Sequence, residues 1–307
     1  MKKSDKILIT GASGMVGSQL VKKLKELDFH NLLTPSSGEL DLTEQNPVDD
    51  YIFAYEPDYV FHLAAKVGGI QANIDDPVKF LSDNILINTN LFRSCSDWGV
   101  KKILYLGSSC IYPKDCPQPM KEEHLMTGPL EPTNEGYALS KVVGLKLAES
   151  YYKQFGLKSV CLMPCNIYGT NDNYHPKNSH VLAALIEKFT LAKTHDLKFV
   201  TLWGDGTPRR EFIHVDDVVE AMLYFFDKIE TPEIINIGPG KDVSIMGLAQ
   251  IIKDEIGYEG EVKFDDTKPN GMMKKCMDVN KMKDLDFYPS IDLKEGIKRT
   301  INEREVI

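Results

Sequence analysis

The six cysteines (Cys95, Cys110, Cys116, Cys161, Cys165 and Cys276) include no CxxC pair and no metal-ligand spacing. A chain of this length buries a core without covalent staples, so no disulfide framework is expected and the thiols read as reduced, in a cytoplasm. His214 stands before Asp216 and Asp217, yet no further ligand spacing supports that run, and no metal is expected. Apolar stretches are all interrupted well before the ~18 residues of a membrane span. Positive charge is also scarce, 36 Lys and Arg against 45 Asp and Glu, giving a net charge of −9 and a pI near 5.4. Nucleic acids and anionic membranes select a basic face, so neither is an expected partner. Met1-Lys2-Lys3 does not open a secretory leader on this reading, because Ile7-Leu8-Ile9 is a strand-length run that goes directly into glycines. Internal repeats and low-complexity tracts are absent.

What is present is an alternation. Apolar, β-branched runs at 6–10, 31–33, 59–64, 102–106 and 159–163 are each followed by Gly, Ser or Pro and then by a helical pattern. That order predicts an α/β fold, a Rossmann-type doubly wound parallel sheet. After Gly14, the residues Val16, Leu20, Leu24 and Leu27 share one helical face, with lysines mostly on the other, as in a crossover helix packed on a sheet. From about Asn171 the pattern loosens, with helices at 181–191 and 245–256 and short strands at 198–202 and 234–237. These predict a smaller C-terminal α/β lobe made of 171–204 and 238–307. Residues 1–170 form the first domain, with 205–237 packing back on it, and 210–226 reads as one helix.

Gly11-Ala12-Ser13-Gly14-Met15-Val16-Gly17 follows the first strand and opens the first helix. In that context a GxxGxxG loop lets backbone N–H groups and the helix N-terminus meet a pyrophosphate, so a dinucleotide is expected there. After the second strand comes Thr34-Pro35-Ser36-Ser37-Gly38-Glu39-Leu40-Asp41, without an acid at the immediate strand end to repel a ribose phosphate. Ser36 and Ser37 can donate to such a phosphate, but no Arg is there to form the bidentate pair. NADP(H) is mildly favoured, with NAD(H) still open and a plain turn as the alternative role of the serines.

Tyr137 and Lys141 stand four apart, on one helical face. An ammonium near a phenol favours the phenolate, and the expectation is a Tyr137 pKa drawn toward neutrality. Tyr224 and Lys228 repeat the spacing, as a plain amphipathic pair with Tyr224 partly in the core. Position separates the two pairs: Tyr137 lies about one loop after a strand ending in Gly107-Ser108-Ser109, whose hydroxyl can bind the same oxygen. A Ser, a Tyr and a Lys around one carbonyl oxygen, downstream of a dinucleotide loop, form a hydride-transfer site. Of the histidines, His62 within an apolar strand reads as a satisfied core residue, and His175 as a loop residue.

With these residues the chain resembles the extended short-chain dehydrogenase/reductase family. The strings Ala64-Ala65-Lys66-Val67-Gly68-Gly69-Ile70, Gly107-Ser108-Ser109-Cys110-Ile111-Tyr112-Pro113, Pro132-Thr133-Asn134-Glu135, Asn178-Ser179-His180-Val181 and Trp203 to Phe212 resemble its GDP-L-fucose synthase branch, in order and over almost the whole chain. The resemblance implies epimerisation of a GDP-4-keto-6-deoxy-mannose at C3 and C5, then reduction of its C4 ketone by NADPH. It implies Ser108, Tyr137 and Lys141 as the reductase set and Cys110 and His180 as the acid/base pair. Protons on C3 and C5 are acidified by the ketone between them, and a thiolate and an imidazolium exchange protons near pH 7. Carried over with them are cofactor contacts from the glycine loop, Ser37, Asp41, Leu106, Gly107, Ser109, Lys141, Pro164, Asn166, Ile167 and His180. Lys188, Trp203, Arg210 and Asn270 are implied for the substrate: cations for the diphosphate and an indole wall for sugar or base. Asn270 stands where the branch often has Asp, and Ala12-Ser13 where bacterial relatives often have His-Arg. The helices near 83–97 and 137–155 resemble those of a four-helix homodimer interface.

Three alternatives remain at this level. A 4,6-dehydratase or 4-epimerase would share the glycine loop and the Ser-Tyr-Lys set, but dehydratases place an Asp-Glu pair where Ser109-Cys110 stands here. A C4 reductase acting on another GDP-4-keto sugar, such as a heptose, is hardly separable by sequence. A dinucleotide-sensing regulator usually has a degraded Tyr-Lys pair, and this pair is intact.

Overall fold

The computed structural model describes residues 1–175, 179–267, 270 and 272–304, apart from the side chain of Ile70. In chain order the first half contains β1 (Ile7–Thr10), α1 (Met15–Glu26), β2 (Leu32–Leu33), α2 (Gln45–Tyr55), β3 (Tyr59–His62), α3 (Ile70–Asp75), α4 (Pro77–Asp97), β4 (Lys102–Leu106), α5 (Glu135–Phe155) and β5 (Lys158–Pro164). The second half contains β6 (Asn166–Tyr168), α6 (Val181–Thr194), β7 (Phe199–Trp203), β8 (Arg209–His214), α7 (Val215–Lys228), β9 (Ile234–Ile237), β10 (Asp242–Ser244), α8 (Ile245–Ile256), β11 (Glu261–Asp265), β12 (Lys274–Lys275), α9 (Asn280–Asp284) and α10 (Leu293–Arg304).

Six strands form a parallel sheet in the order β2-β1-β3-β4-β5-β9. The order reverses direction beside β1, the arrangement of a doubly wound sheet. Its inner strands are buried on both faces, with Ile7, Leu8, Ile9, Val60, Phe61, Ile103, Leu104, Val160 and Leu162 all fully enclosed, while the edge strand β2 is half-buried. Burying each such side chain contributes about 1.5–3 kcal/mol, which is why these runs are continuously apolar rather than alternating. In α1 the face is narrower than expected. Leu20 and Leu24 are buried and Val16 is half-buried, but the helix ends at Glu26 and Leu27 is exposed, since the chain turns there to enter β2.

The 210–226 segment is not one helix. Residues Arg209–His214 are a strand paired with β10, β12 and β6, and the helix begins only at Val215. His214 marks the change, because its Nδ1 accepts the Asp216 N–H at 3.3 Å and so caps α7. The helical period of 215–226 is real, and it masked the short strand before it.

A second core lies between α6, α8, α10 and β7, built from Leu185, Phe189, Val200, Leu202, Leu248 and Ile297 among others. The first core takes in Ile213, Val218 and Phe225, and also Met277, Val279, Met282 and Phe287 from the later chain. Of the sequence strings above, Asn178 lies outside the described residues, as do positions 268, 269 and 271 around Asn270 and residues 305–307. No helix among the described residues is long and apolar enough to cross a membrane.

Candidate active site

The glycine loop, the end of β4 and the end of β5 meet at the carboxyl edge of the sheet, where an open α/β sheet leaves its crevice. Gly11 has φ +73°, and a Cβ there would stand 2.9 Å from the Ala64 nitrogen. A Cβ on Gly17 would come within 2.1 Å of the Gly11 oxygen, so the first turn of α1 can close only over a bare Cα. No side chain caps this helix, and Gly14 is its N-cap. Its first-turn N–H groups are therefore left to an anion. These features fit a dinucleotide pyrophosphate.

Beyond β2 the structure departs from the expectation of free serine donors. Glu39 folds back on the turn, and its Oε2 accepts both the Ser36 N–H and the Ser36 hydroxyl at 2.8 Å. Asp41 is likewise engaged, accepting from the Thr43 N–H at 2.9 Å and its hydroxyl at 2.7 Å. Ser37 is exposed beside them. The sequence had no acid at the strand end, but the turn delivers one.

The polypeptide leaves β4 through Gly107, where a Cβ would strike the Met163 sulfur at 2.2 Å, and enters a short 3₁₀ turn at Ser109–Ile111. Ser108 is its N-cap, and its hydroxyl oxygen accepts the Cys110 N–H at 3.2 Å. The turn packs against α5, the helix that carries Tyr137, and the Ser108 hydroxyl acts to lower the Tyr137 pKa against burial. Lys141, one turn along α5, donates through Nζ to the Leu106 carbonyl at 2.8 Å and stands 5.7 Å from the centre of the Tyr137 ring. Ser109 is buried beneath this turn. Pro164 ends β5, Ile167 packs partly buried on the first core, and Asn166 donates to the Glu211 carbonyl at 2.7 Å.

A buried chain of hydrogen bonds ties this helix to the glycine loop. The Thr10 hydroxyl meets His62 Nδ1 at 2.9 Å, His62 Nε2 meets Asn88 Oδ1 at 3.0 Å, and the Asn88 amide donates to the Ser140 carbonyl at 2.9 Å. Because Thr10 Oγ1 already accepts from the Leu63 and Ala64 N–H groups, its own proton goes to Nδ1, which assigns the Nε2–H tautomer. Burial lowers the His62 pKa to about 3, so the ring is neutral. His62 is the satisfied core residue the sequence suggested.

The Tyr137 pKa moves opposite to the sequence expectation. Burial and the neighbouring Cys110 push it well above the ordinary phenol value, with Ser108 opposing weakly. Lys141 does not cancel this, because its ammonium is turned to the Leu106 carbonyl and is itself lowered by burial to about 8. Burial therefore favours the neutral phenol of Tyr137 over the phenolate.

Cys110 shows the reverse. Burial raises its thiol, but Lys275, the Ser108 hydroxyl and Asn134 together outweigh that, and its pKa ends below the ordinary value. The Lys275 Nζ lies 3.4 Å from the sulfur and the Asn134 amide donates to it at 3.3 Å. The other five cysteines are free and buried, and burial raises Cys95, Cys116, Cys161, Cys165 and Cys276.

Neither Lys275 nor a role for Asn134 was among the sequence candidates. Lys275 sits in an ordinary-looking basic pair, Lys274-Lys275, and only a structure reveals which of the two faces a thiol. Asn134 lay within a string quoted above, and its place before α5 was the available signal.

No described hydrogen bond joins His180, Lys188 or Arg210 to Cys110, Tyr137 or Lys141. His180 is the N-cap residue of α6, solvent-accessible but surrounded by enough protein that desolvation lowers its pKa, and no described hydrogen bond joins it to Cys110. Lys188 donates to the Thr201 carbonyl at 3.3 Å, and burial of its surroundings lowers its pKa. Trp203 ends β7 with 64% of its surface exposed. Arg210 donates to the Met272 carbonyl at 2.6 Å, and desolvation lowers its pKa against the pull of Glu131. Asn270 Oδ1 accepts the Asp205 N–H at 2.9 Å, so this amide holds the turn after β7. Among the described residues no group of His, Cys, Asp and Glu is arranged to hold a metal ion.

Residues 7–238 match the model of the NAD dependent epimerase/dehydratase family. The chain belongs to this family. It is 46% identical over 300 residues to a putative GDP-L-fucose synthase 2 of Arabidopsis thaliana, an alignment covering 98% of this chain and 92% of that one. Among solved structures it resembles a GDP-6-OMe-4-keto-L-xylo-heptose reductase from Campylobacter jejuni, with TM-score 0.95, 32% identity and coverage of 100% and 99% of the two chains. A GDP-mannoheptose C4 reductase from Campylobacter jejuni with NADP bound gives TM-score 0.91 at 34% identity, covering 99% of each chain. The glycine loop, the Ser108-Tyr137-Lys141 set and the parallel sheet described above all fall inside the segment matched to the epimerase/dehydratase family.

Proposed function

We propose that the chain is a bifunctional GDP-L-fucose synthase, which epimerises a GDP-4-keto-6-deoxy-mannose at C3 and C5 and reduces its C4 ketone with NADPH. One observation carries this reading: the Cys110 thiol, 3.4 Å from the Lys275 ammonium, lies in a 3₁₀ turn capped by Ser108 and packed against the helix that presents Tyr137 and Lys141. A carbon-acid base and a carbonyl-protonating phenol thus flank one small volume, as epimerisation next to a ketone followed by reduction of that ketone requires.

The backbone of Gly11–Gly17 would hold the pyrophosphate, with Leu106, Gly107, Ser109, Lys141, Pro164, Asn166 and Ile167 along the same edge. NADPH supplies, when bound, the hydride for C4. Cys110 takes the proton from C3 or C5, and His180 serves as the opposing acid. Ser108 and Tyr137 stabilise the enolate oxygen between those carbons, and Tyr137 later gives its proton to the C4 oxygen. Lys188 and Arg210 neutralise the diphosphate, Trp203 forms the wall for sugar or base, and Asn270 keeps the loop beside Trp203 in place. Residues 1–170 with 205–237 act as the cofactor domain, and 171–204 with 238–307 as the substrate lobe. A homodimer through α4 and α5 fits the exposed Val78, Leu86, Leu139, Tyr152 and Phe155 on those two packed helices. Six free thiols suit the cytoplasm.

The test is incubation with GDP-4-keto-6-deoxy-mannose and NADPH in D₂O, with deuterium located by NMR and mass spectrometry. NADPH oxidation with deuterium at both C3 and C5 is the expected result. The likeness to the heptose reductase, at TM-score 0.95, favours a second reading, C4 reduction of a GDP-4-keto-heptose. Oxidation without deuterium would replace the first reading with the second.

A further inference from the structure

Lys275 reaches Cys110 because something fixes the short strand on which it lies. β12 is only Lys274–Lys275, paired in parallel with Arg209 and Arg210 of β8, and two residues of ladder are a weak anchor. Where that ladder stops, the next residue of β8 takes over with its side chain. Glu211 is 1% exposed, and its Oε2 accepts the Met277 N–H at 2.8 Å. Its Oε1 accepts the Gly240 N–H at 2.6 Å, which ties the same carboxylate to the loop after β9. The fit leaves no slack, since a Cβ on Gly238 would come within 2.4 Å of Oε1. On the opposite side the Cys276 N–H donates to Gln118 Oε1 at 2.9 Å, and the Met120 N–H donates to the Cys276 carbonyl at 2.8 Å. The strand carrying Lys275 is therefore clamped between Glu211 and the loop that leads on from Cys110.

A buried carboxylate is an expensive way to hold two backbone N–H groups, and burial raises the Glu211 pKa to about 7 in spite of them. None of its described hydrogen bonds goes to a group of the reductase set. We infer that Glu211 is a positioning residue of the epimerase half, holding the Lys275 strand so that the ammonium stays against the Cys110 thiolate. The inference rests on the reading of Cys110 as the proton-transfer base, but its primary test needs no substrate.

The rate of Cys110 alkylation by iodoacetamide is followed against pH, with the Cys110 peptide quantified by mass spectrometry, in the full chain and in Glu211→Gln, Lys275→Met and the double variant. Removing a negative charge would by itself favour a thiolate and lower the midpoint. A Glu211→Gln midpoint raised by about one pH unit can therefore come only through a displaced Lys275. The double variant should match Lys275→Met alone, because the two act through one contact. NADPH affinity by fluorescence titration should stay within twofold of the parent. An unchanged or lowered midpoint in a folded Glu211→Gln chain, or additive effects in the double variant, would overturn the inference. If Glu211→Gln does not fold, Glu211→Asp carries the same test, since a carboxylate one methylene shorter cannot span both N–H groups. A shifted midpoint without any deuterium exchange at C3 or C5 would leave the positioning intact and remove the epimerase reading instead.

Discussion

The Lys275 ammonium lies 3.4 Å from the Cys110 sulfur, across 165 residues of sequence. An opposite charge at this distance favours the ionised thiol, and together with the Ser108 hydroxyl and the Asn134 amide it outweighs the effect of burial. Lys275→Met should therefore slow deuterium entry at C3 and C5 about tenfold or more at pH 7. NADPH affinity should be unchanged, and exchange at the parent rate would mean that Cys110 does not act as a thiolate.

Burial holds Tyr137 as a neutral phenol, and on the proposed function it gives its proton to the C4 oxygen. Tyr137→Phe should reduce NADPH oxidation by about 10²- to 10⁴-fold, the range for a removed general acid. Enolate formation still has Ser108, so deuterium should continue to enter C3 and C5, at a rate lowered less than reduction. Loss of both to the same degree would place Tyr137 in the epimerisation step as well.

The pH dependence divides activity from stability. Burial lowers Lys141 from 10.5 to about 8 in the fold. Above about pH 8 the folded chain has released this proton while an unfolded chain keeps it up to about 10.5. The unfolded state then binds more protons, so this group's contribution to stability rises with pH across that window. Reduction should fall over the same range, as the ammonium beside Tyr137 is lost. Rate profiles and thermal melts of the parent and Lys141→Met test this: the variant melt should lack the Lys141 contribution between pH 8 and 10.5.

Glu39 occupies two donors of Ser36 that would otherwise be available to a ribose phosphate. Glu39→Ala frees both and removes a negative charge. NADPH should then bind about fivefold more tightly while NADH changes less than twofold, measured by fluorescence titration. Equal changes for the two cofactors would place the ribose phosphate away from this turn.

Gly17→Ala puts a methyl 2.1 Å from the Gly11 oxygen, and neither backbone can give way without opening the loop. Overpacking of this kind costs about 1–3 kcal/mol. A lower melting temperature and weakened binding of NADPH and NADH alike are expected, since the pyrophosphate contact is common to both.

Much was legible before any coordinates, for reasons of local chemistry. Buried parallel strands must be continuously apolar, so Ile7–Thr10 and Lys102–Leu106 announced themselves, and a loop that tolerates only hydrogen at Gly17 shows as glycine in the sequence. Tyr137 and Lys141 share a helical face by periodicity alone, and the strand-end serine was visible upstream. What the sequence hid depends on three-dimensional neighbours. The strand Arg209–His214 was absorbed into a helical period because its partners β10 and β12 come later in the chain. The direction of the Tyr137 pKa followed from burial and from a thiol, and the helical spacing to Lys141 carried no information on either.

The residue types of the candidate site, and the parallel doubly wound sheet that carries them, were determined by the sequence itself, because periodicity and glycine placement act within a few residues. Which lysine faces Cys110, and which carboxylate holds it there, was decided only by tertiary structure. Charge and hydrogen bonding act over a few ångströms of space, and the groups that meet at Cys110 come from β12, the turn before α5 and the end of β4.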